Sequence, residues 1–255
     1  MRKKILIILM MLLFAVCSVQ AVAITFSTSG TIGAGDTYDT VYVENDGTVV
    51  DMTGGQIVDL LTSDISTFNM SGGQITGLGS HIGVGALSTF NMLNGIADLH
   101  GLYLEGAGAI YSAGGTASIS GGTLSAETVK IYPDAKLTLA NAGVYFGMFN
   151  IMEDGQMDIF SGNVEISHAS VAYGYYVGDD YMDVGATINV HGYDFNYDPT
   201  GGAYSGGILT GYLSDGNPFS IDQVSEMEYT SFNLIPEPAT LLLFGLGALL
   251  LRKRN

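Results

Sequence analysis

The sequence predicts an all-β chain whose body is a right-handed parallel β-helix, or β-solenoid, with a small C-terminal β module. Three observations predict it. Near-identical segments recur at short intervals, apolar residues align in columns across the copies, and residues tolerant of positive φ hold the same place in each copy. An N-terminal signal helix and a C-terminal hydrophobic helix flank this body. The expected divisions are 1–23, 24–169, 170–234 and 235–255.

The repeats carry the body, 24–169. Ile65-Ser66-Thr67-Phe68-Asn69-Met70-Ser71 returns 22 residues later as Leu87-Ser88-Thr89-Phe90-Asn91-Met92-Leu93. Met52-Thr53-Gly54-Gly55-Gln56-Ile57 matches Met70-Ser71-Gly72-Gly73-Gln74-Ile75, and weaker copies follow around Ser118, Thr138 and Asp158. Aligned on these, one column holds Val50, Phe68, Phe90, Ala117, Leu137 and Met157. Two residues on, a second holds Met52, Met70, Met92, Ile119, Leu139 and Ile159. Five further on, a third holds Ile57, Ile75, Ala97, Leu124, Val144 and Val164. Spacing two puts the first pair on one face of a strand. The slot before the third column holds Gly-Gly, Asn-Gly, Asn-Ala or Ser-Gly, which makes a turn. Strand, turn and strand every 18–27 residues describe one coil, with loops of varying length on one side. A sandwich or barrel of short hairpins is the alternative fold. The glycine-turn pattern loosely resembles the β-helical passenger regions of bacterial surface proteins.

From about Ser170 the composition becomes aromatic and acidic. Ile188 to Phe195 alternates as a strand, and Gly206–Leu213 followed by Ser214–Pro218 reads as strand then turn. This module, 170–234, is expected to cap the open solenoid end.

Both ends carry addresses. Arg2, Lys3 and Lys4 precede the apolar run Ile5–Val16, and Ala21-Val22-Ala23 places small residues for signal cleavage after Ala23. Cys17 raises lipoprotein processing as an alternative, but Val16 is the wrong preceding residue. At the other end Pro236-Glu237-Pro238 precedes an apolar run to Leu251, then Arg252-Lys253-Arg254. From Ala239 to Leu251 a helix would span about 20 Å against a bilayer core of about 30 Å, a poor permanent anchor. The terminal cations stop transfer and leave the body outside.

This tail resembles the PEP-CTERM sorting signal of Gram-negative bacteria. The resemblance implies export by Sec-type machinery, transient insertion through the C-terminal helix, and recognition and cleavage by an exosortase. It implies release to the cell surface or extracellular matrix, in a biofilm and exopolysaccharide context. A sortase signal would read Leu-Pro-x-Thr-Gly, and a glycosylphosphatidylinositol tail would not end in three basic residues. An ordinary tail anchor is the plain alternative.

Charge excludes one class of partner. The chain has 25 acidic and 8 basic residues, net −17, and only Lys130 and Lys136 are basic between the two ends. Nucleic acid needs clustered cations and is excluded. At 47 % hydrophobic and 13 % charged the chain has apolar surface for a core, so disorder fits badly.

Chemistry is sparse. Asp194, Asn196 and Asp198 have the spacing that opens a calcium loop, but Pro199 and Ser205 stand where glycine and glutamate are needed. An alternating strand with Tyr193, Phe195 and Tyr197 explains the same residues, so no cofactor is expected beyond this calcium candidate. Asp179, Asp180 and Asp183 form a similar acidic cluster. His81, His100, His168 and His191 show no metal-ligand spacing, the two body lysines lie six residues apart, and no catalytic residue stands out. The expectation is therefore a non-enzymatic structural or adhesive surface protein. The alternative is a carbohydrate-binding or carbohydrate-active β-helix protein. A tyrosine platform of Tyr173, Tyr175, Tyr193 and Tyr197 would serve the latter, although tryptophan is absent.

Overall fold

The computed structural model describes residues 22–105, 114–152, 154–171, 175–177, 180–182, 185–203, 206–225 and 231–236, with backbone alone at 171, 175–177 and 180–182. These residues form a parallel β-solenoid of about seven turns, with no α-helix among them. The two flanking helices expected from the sequence lie outside the described residues. Among those residues, no helix is long and apolar enough to cross a membrane.

An opening strand β1 (Ala23–Phe26) leads into coils of two or three strands each. The first three are β2 (Gly30–Ile32) with β3 (Thr37–Val43), β4 (Val49–Met52) with β5 (Gln56–Thr62), and β6 (Thr67–Met70) with β7 (Gln74–Thr76) and β8 (His81–Val84). Next come β9 (Thr89–Met92) with β10 (Ile96–Leu104), and β11 (Thr116–Ile119) with β12 (Thr123–Ile131). The last two are β13 (Lys136–Leu139) with β14 (Ala142–Ile151), and β15 (Gln156–Ile159) with β16 (Gly162–Ile166) and β17 (Ala169–Val171).

Each coil contributes one rung to each of three parallel ladders. The first ladder runs β2-β4-β6-β9-β11-β13-β15. Its register is that of the sequence columns: Val50 faces Phe68, Phe68 faces Phe90, Ala117 faces both Phe90 and Leu137, and Leu137 faces Met157. The methionines Met52, Met70 and Met92 stack in the same way, fully buried. The third column, from Ile57 to Val164, stacks on the second ladder, which uses the front halves of the long strands. A third ladder uses their back halves and aligns Leu60, Ile82, Leu102, Val129 and Phe149. All coil-to-coil pairings are parallel, which a hairpin sandwich would not produce.

The turn slot has a structural reason. Its second residue takes positive φ in five coils, at Gly55, Gly73, Gly95, Gly122 and Gly162. At Gly73 a Cβ would also lie 2.7 Å from the carbonyl oxygen of Gly54 in the coil before, so the stack leaves no room for a side chain. Hydrogen bonds pass between these turns, with Gln74 N–H donating to Gly55 O at 3.0 Å and Ile96 N–H to Gly73 O at 3.1 Å. In the Asn-Ala coil the positive φ moves one residue earlier, to Asn141 at 52°, because asparagine tolerates the left-handed region and alanine does not. Extra residues enter at two corners and not on one side as expected: Gly77–Ser80 separate β7 from β8, and a longer segment separates Leu104 from Thr116.

After β17 a short antiparallel pair, β18 (Tyr175–Val177) and β19 (Asp180–Met182), precedes β20 (Thr187–Asp198). The first residues of β20 add a rung to the first ladder, Met157 facing Ile188 and Ile159 facing Val190. Beyond Gly192 the same strand runs antiparallel to β21 (Gly207–Leu213), which pairs antiparallel with β22 (Pro218–Val224). β22 returns to lie parallel on β16. The terminal strand β23 (Phe232–Pro236) adds the last rung beside β20. The segment therefore extends the solenoid core, with Ile188, Val190, Leu209 and Ile221 buried in it.

Candidate functional site

The C-terminal end is built from β20 and β23. Ile188 faces Phe232, Val190 faces Leu234 and Gly192 faces Pro236. Pro236 is exposed and closes the strand, since proline has no N–H to continue a ladder. A side-chain relay along the outer face fastens this rung. Asn233 Nδ2 donates to Asn189 Oδ1 at 3.0 Å, and Asn189 Nδ2 donates to Asp158 Oδ1 at 2.6 Å. Lys136 Nζ sits 2.6 Å from Asp158 Oδ2. Burial alone would raise the Asp158 pKa, but the hydrogen bonds from Lys136 and Asn189, with the charge of Lys136, outweigh it and hold the carboxyl below its ordinary value.

Residues 234–254 match the PEP-CTERM protein-sorting motif. Neither a curated protein nor a solved structure matches the chain. The motif makes this an exported protein processed at the membrane, with an exosortase as its processing partner. The sorting motif and the solenoid overlap: Leu234, Ile235 and Pro236 are both the start of the matched segment and the end of β23. Glu237, Pro238, Arg252, Lys253 and Arg254 lie outside the described residues, as does Ala21. Ala23 is the first residue of β1 and faces Thr40, so cleavage after it would leave Ile24–Phe26 in that strand.

The calcium candidates lie along the antiparallel end of β20. Asp194 has φ 51° at a register shift between Tyr193 and Asn196. Asp198 Oδ1 accepts from both Thr200 N–H and Thr200 Oγ1–H at 2.9 Å, closing the turn after β20. The Thr200 backbone bond, then its hydroxyl, hold the Asp198 carboxyl below its ordinary pKa. Among the described residues no group of three or more His, Cys, Asp or Glu could hold a metal ion.

Among the described residues, Tyr193 and Tyr197 do not share one exposed face. Tyr193 is exposed and stacks on Tyr212 at 5.5 Å, whereas Tyr197 packs against the core and donates to Val224 O at 3.0 Å. The register shift breaks the expected alternation, so Phe195 and Tyr197 both face inward. Tyr173 lies outside the described residues, and Tyr175 is described by its backbone alone.

A concave surface lies elsewhere, on the outside of the third ladder. It is an open groove of about 690 Å³ over β5, β8, β10 and β12. Rung by rung it is lined by Asp59 and Leu61, then His81 and Gly83, then Tyr103 and Glu105, then Lys130 and Tyr132. Asp59 Oδ1 accepts the His81 backbone N–H at 2.8 Å and lies 3.6 Å from His81 Nδ1. The Tyr103 ring folds back over Gly101, where a Cβ would sit 2.6 Å from the ring, and stacks on His81 at 5.7 Å. Lys130 Nζ lies 5.8 Å from the Tyr103 centroid. At the rim His100 meets His81 edge-on at 5.4 Å and its Nδ1 is 2.7 Å from Glu127 Oε2. Parallel stacking thus gathers residues 59–132 at one place, while Lys136 belongs to the other relay. The apolar columns carry no trace of this groove, because its residues alternate with core residues on the solvent side. One signal was available in the sequence: Gly83 and Gly101 interrupt strands, and strand glycines mark places where something approaches closely.

Proposed function

We propose that this exported chain is a structural or adhesive protein of the Gram-negative cell surface or extracellular matrix. Its acidic solenoid serves as a stiff spacer or contact surface, and an exosortase removes its tail. The observation that carries this is the overlap of the sorting motif with the last rung: a rigid body ends where the sorting tail begins. Among the described residues β23 runs directly into the matched segment, which suits a module meant to stand at a surface. Export through Sec-type machinery and contact with exopolysaccharide belong to the same proposal. It gives the body no catalytic role.

The test is the intact mass of the protein recovered from the cell exterior. The expected mass lacks the first 23 residues and the segment beyond about Pro236. A mass that retains Leu241–Asn255, in the inner membrane fraction, overturns the proposal and makes the tail an anchor.

A further inference from the structure

The groove on the third ladder gathers a lysine, a histidine, two tyrosines and two carboxylates on one surface. The chain has only two lysines between its ends; Lys136 is held by Asp158, and Lys130 takes part in none of the ion pairs among the described residues. That amino group is placed beside a tyrosine ring, a histidine and two carboxylates on one open surface. We propose that this groove binds a saccharide chain built of neutral or amino sugars.

Shape is the first argument. The groove lies across four successive rungs and is open along its length, so it fits a linear chain laid on the sheet rather than an engulfed small molecule. Gly83 and Gly101 place no side chain where neighbouring rungs place Leu61 and Thr128, and Leu61 and the Tyr103 ring lie against those bare positions. Glycine inside a strand costs about 0.5–1 kcal/mol relative to alanine, so a face built only for stability would fill Gly83. At Gly83 a Cβ would press on Leu61 Cδ2 at 3.0 Å, the flexible end of a side chain that can give by a few tenths of an ångström.

Recognition chemistry is the second. The Tyr103 ring, laid over Gly101 and backed by His81, offers a flat surface for the C–H face of a pyranose. Asp59 on the first rung and Glu105 on the third accept from hydroxyl, amide or ammonium groups, while Lys130 and Tyr132 donate from the fourth. Charge selects among sugars. Two carboxylates face one ammonium inside the groove, and the whole chain carries −17, so uronate or sulfated chains are repelled.

This site stands apart from sorting, and its failure would leave the exported-mass experiment untouched. The test is calorimetric titration of the full chain, in a detergent without sugar headgroups, with cellohexaose, a glucosamine hexasaccharide and hexagalacturonate. One of the first two is expected to bind and hexagalacturonate not to bind. Tyr103→Ala and Gly83→Val should each weaken binding by about ten-fold or more, the first by removing the platform and the second by filling the groove. Tyr193→Ala, on the distant stacked pair, should leave binding unchanged. Should Tyr103→Ala lower the unfolding midpoint, the Gly83→Val result decides. Absence of binding to all three probes, preference for hexagalacturonate, or binding indifferent to Gly83→Val overturns the proposal.

Discussion

At the scale of single residues, the turns decide whether coils stack. Gly73 has φ 88° and its missing Cβ would collide with the Gly54 carbonyl, so conformation and space both demand glycine. Gly73→Ala should therefore lower unfolding free energy by about 2 kcal/mol or more in denaturant titration. Asn141→Gly keeps the left-handed turn and should change it by only a few tenths, about the cap-like tolerance of asparagine sites. An equal effect of the two substitutions would remove the steric explanation. Asp158 makes a pH prediction. Its folded pKa is depressed below the ordinary 3.8, so its contribution is present above that value and lost as pH falls through the folded one. Stability of the native chain should decline below about pH 4, and Asp158→Asn should flatten that acid limb in pH-dependent melting. An unaltered limb would mean that the Lys136 contact adds nothing on folding.

Elements read differently from the sequence according to how constant their spacing is. The first ladder was legible because Phe68, Met70 and their equivalents keep a spacing of two and precede a fixed turn. Their columns are the observed registers, and Met70 is fully buried between Met52 and Met92. Met70→Asp places an unpaired charge there and should cost about 3 kcal/mol or more; a loss under about 1 kcal/mol would mean the column is not core. The third ladder was not legible. Leu60, Ile82 and Leu102 stack, yet Gly77–Ser80 intervene in one coil and not in its neighbours, so alignment on the turn loses them. The terminal strand β23 depends on side chains as well as on backbone pairing. Asn189→Leu cuts both of its amide bonds, and hydrogen exchange should quicken at Asn233–Ile235 while Phe68–Met70 stays protected. Uniform exchange in the two segments would argue that the relay does not fasten the end.

For the whole molecule, each coil touches its neighbours and little else, so stability should be a sum over coils and interfaces. Residues 49–66 form one complete coil, and Val49 faces Thr67 in register. Deleting 49–66 should leave a folded chain whose length in small-angle scattering is shorter by about 4.8 Å, one rung spacing, with a lower unfolding midpoint. Collapse of the fold on this deletion would show that the coils are not modular. About seven such turns make a rod of roughly 34 Å, and the overlap of β23 with the sorting motif lets that rod end directly at the motif.

By itself the sequence determined the address of this protein, the all-β class and the register of two stacked faces. Those properties depend on local order: a tail read as a string, a period of two along a strand, and a turn needing positive φ. The tertiary structure alone decided that β20 and β23 continue the core, that Asp158, Asn189 and Asn233 form one relay, and that Asp59, His81, Tyr103 and Lys130 share a groove. The physical reason is that coils of unequal length bring residues together by rung. Rung neighbours 17 to 55 residues apart become contacts only once every intervening loop has been placed.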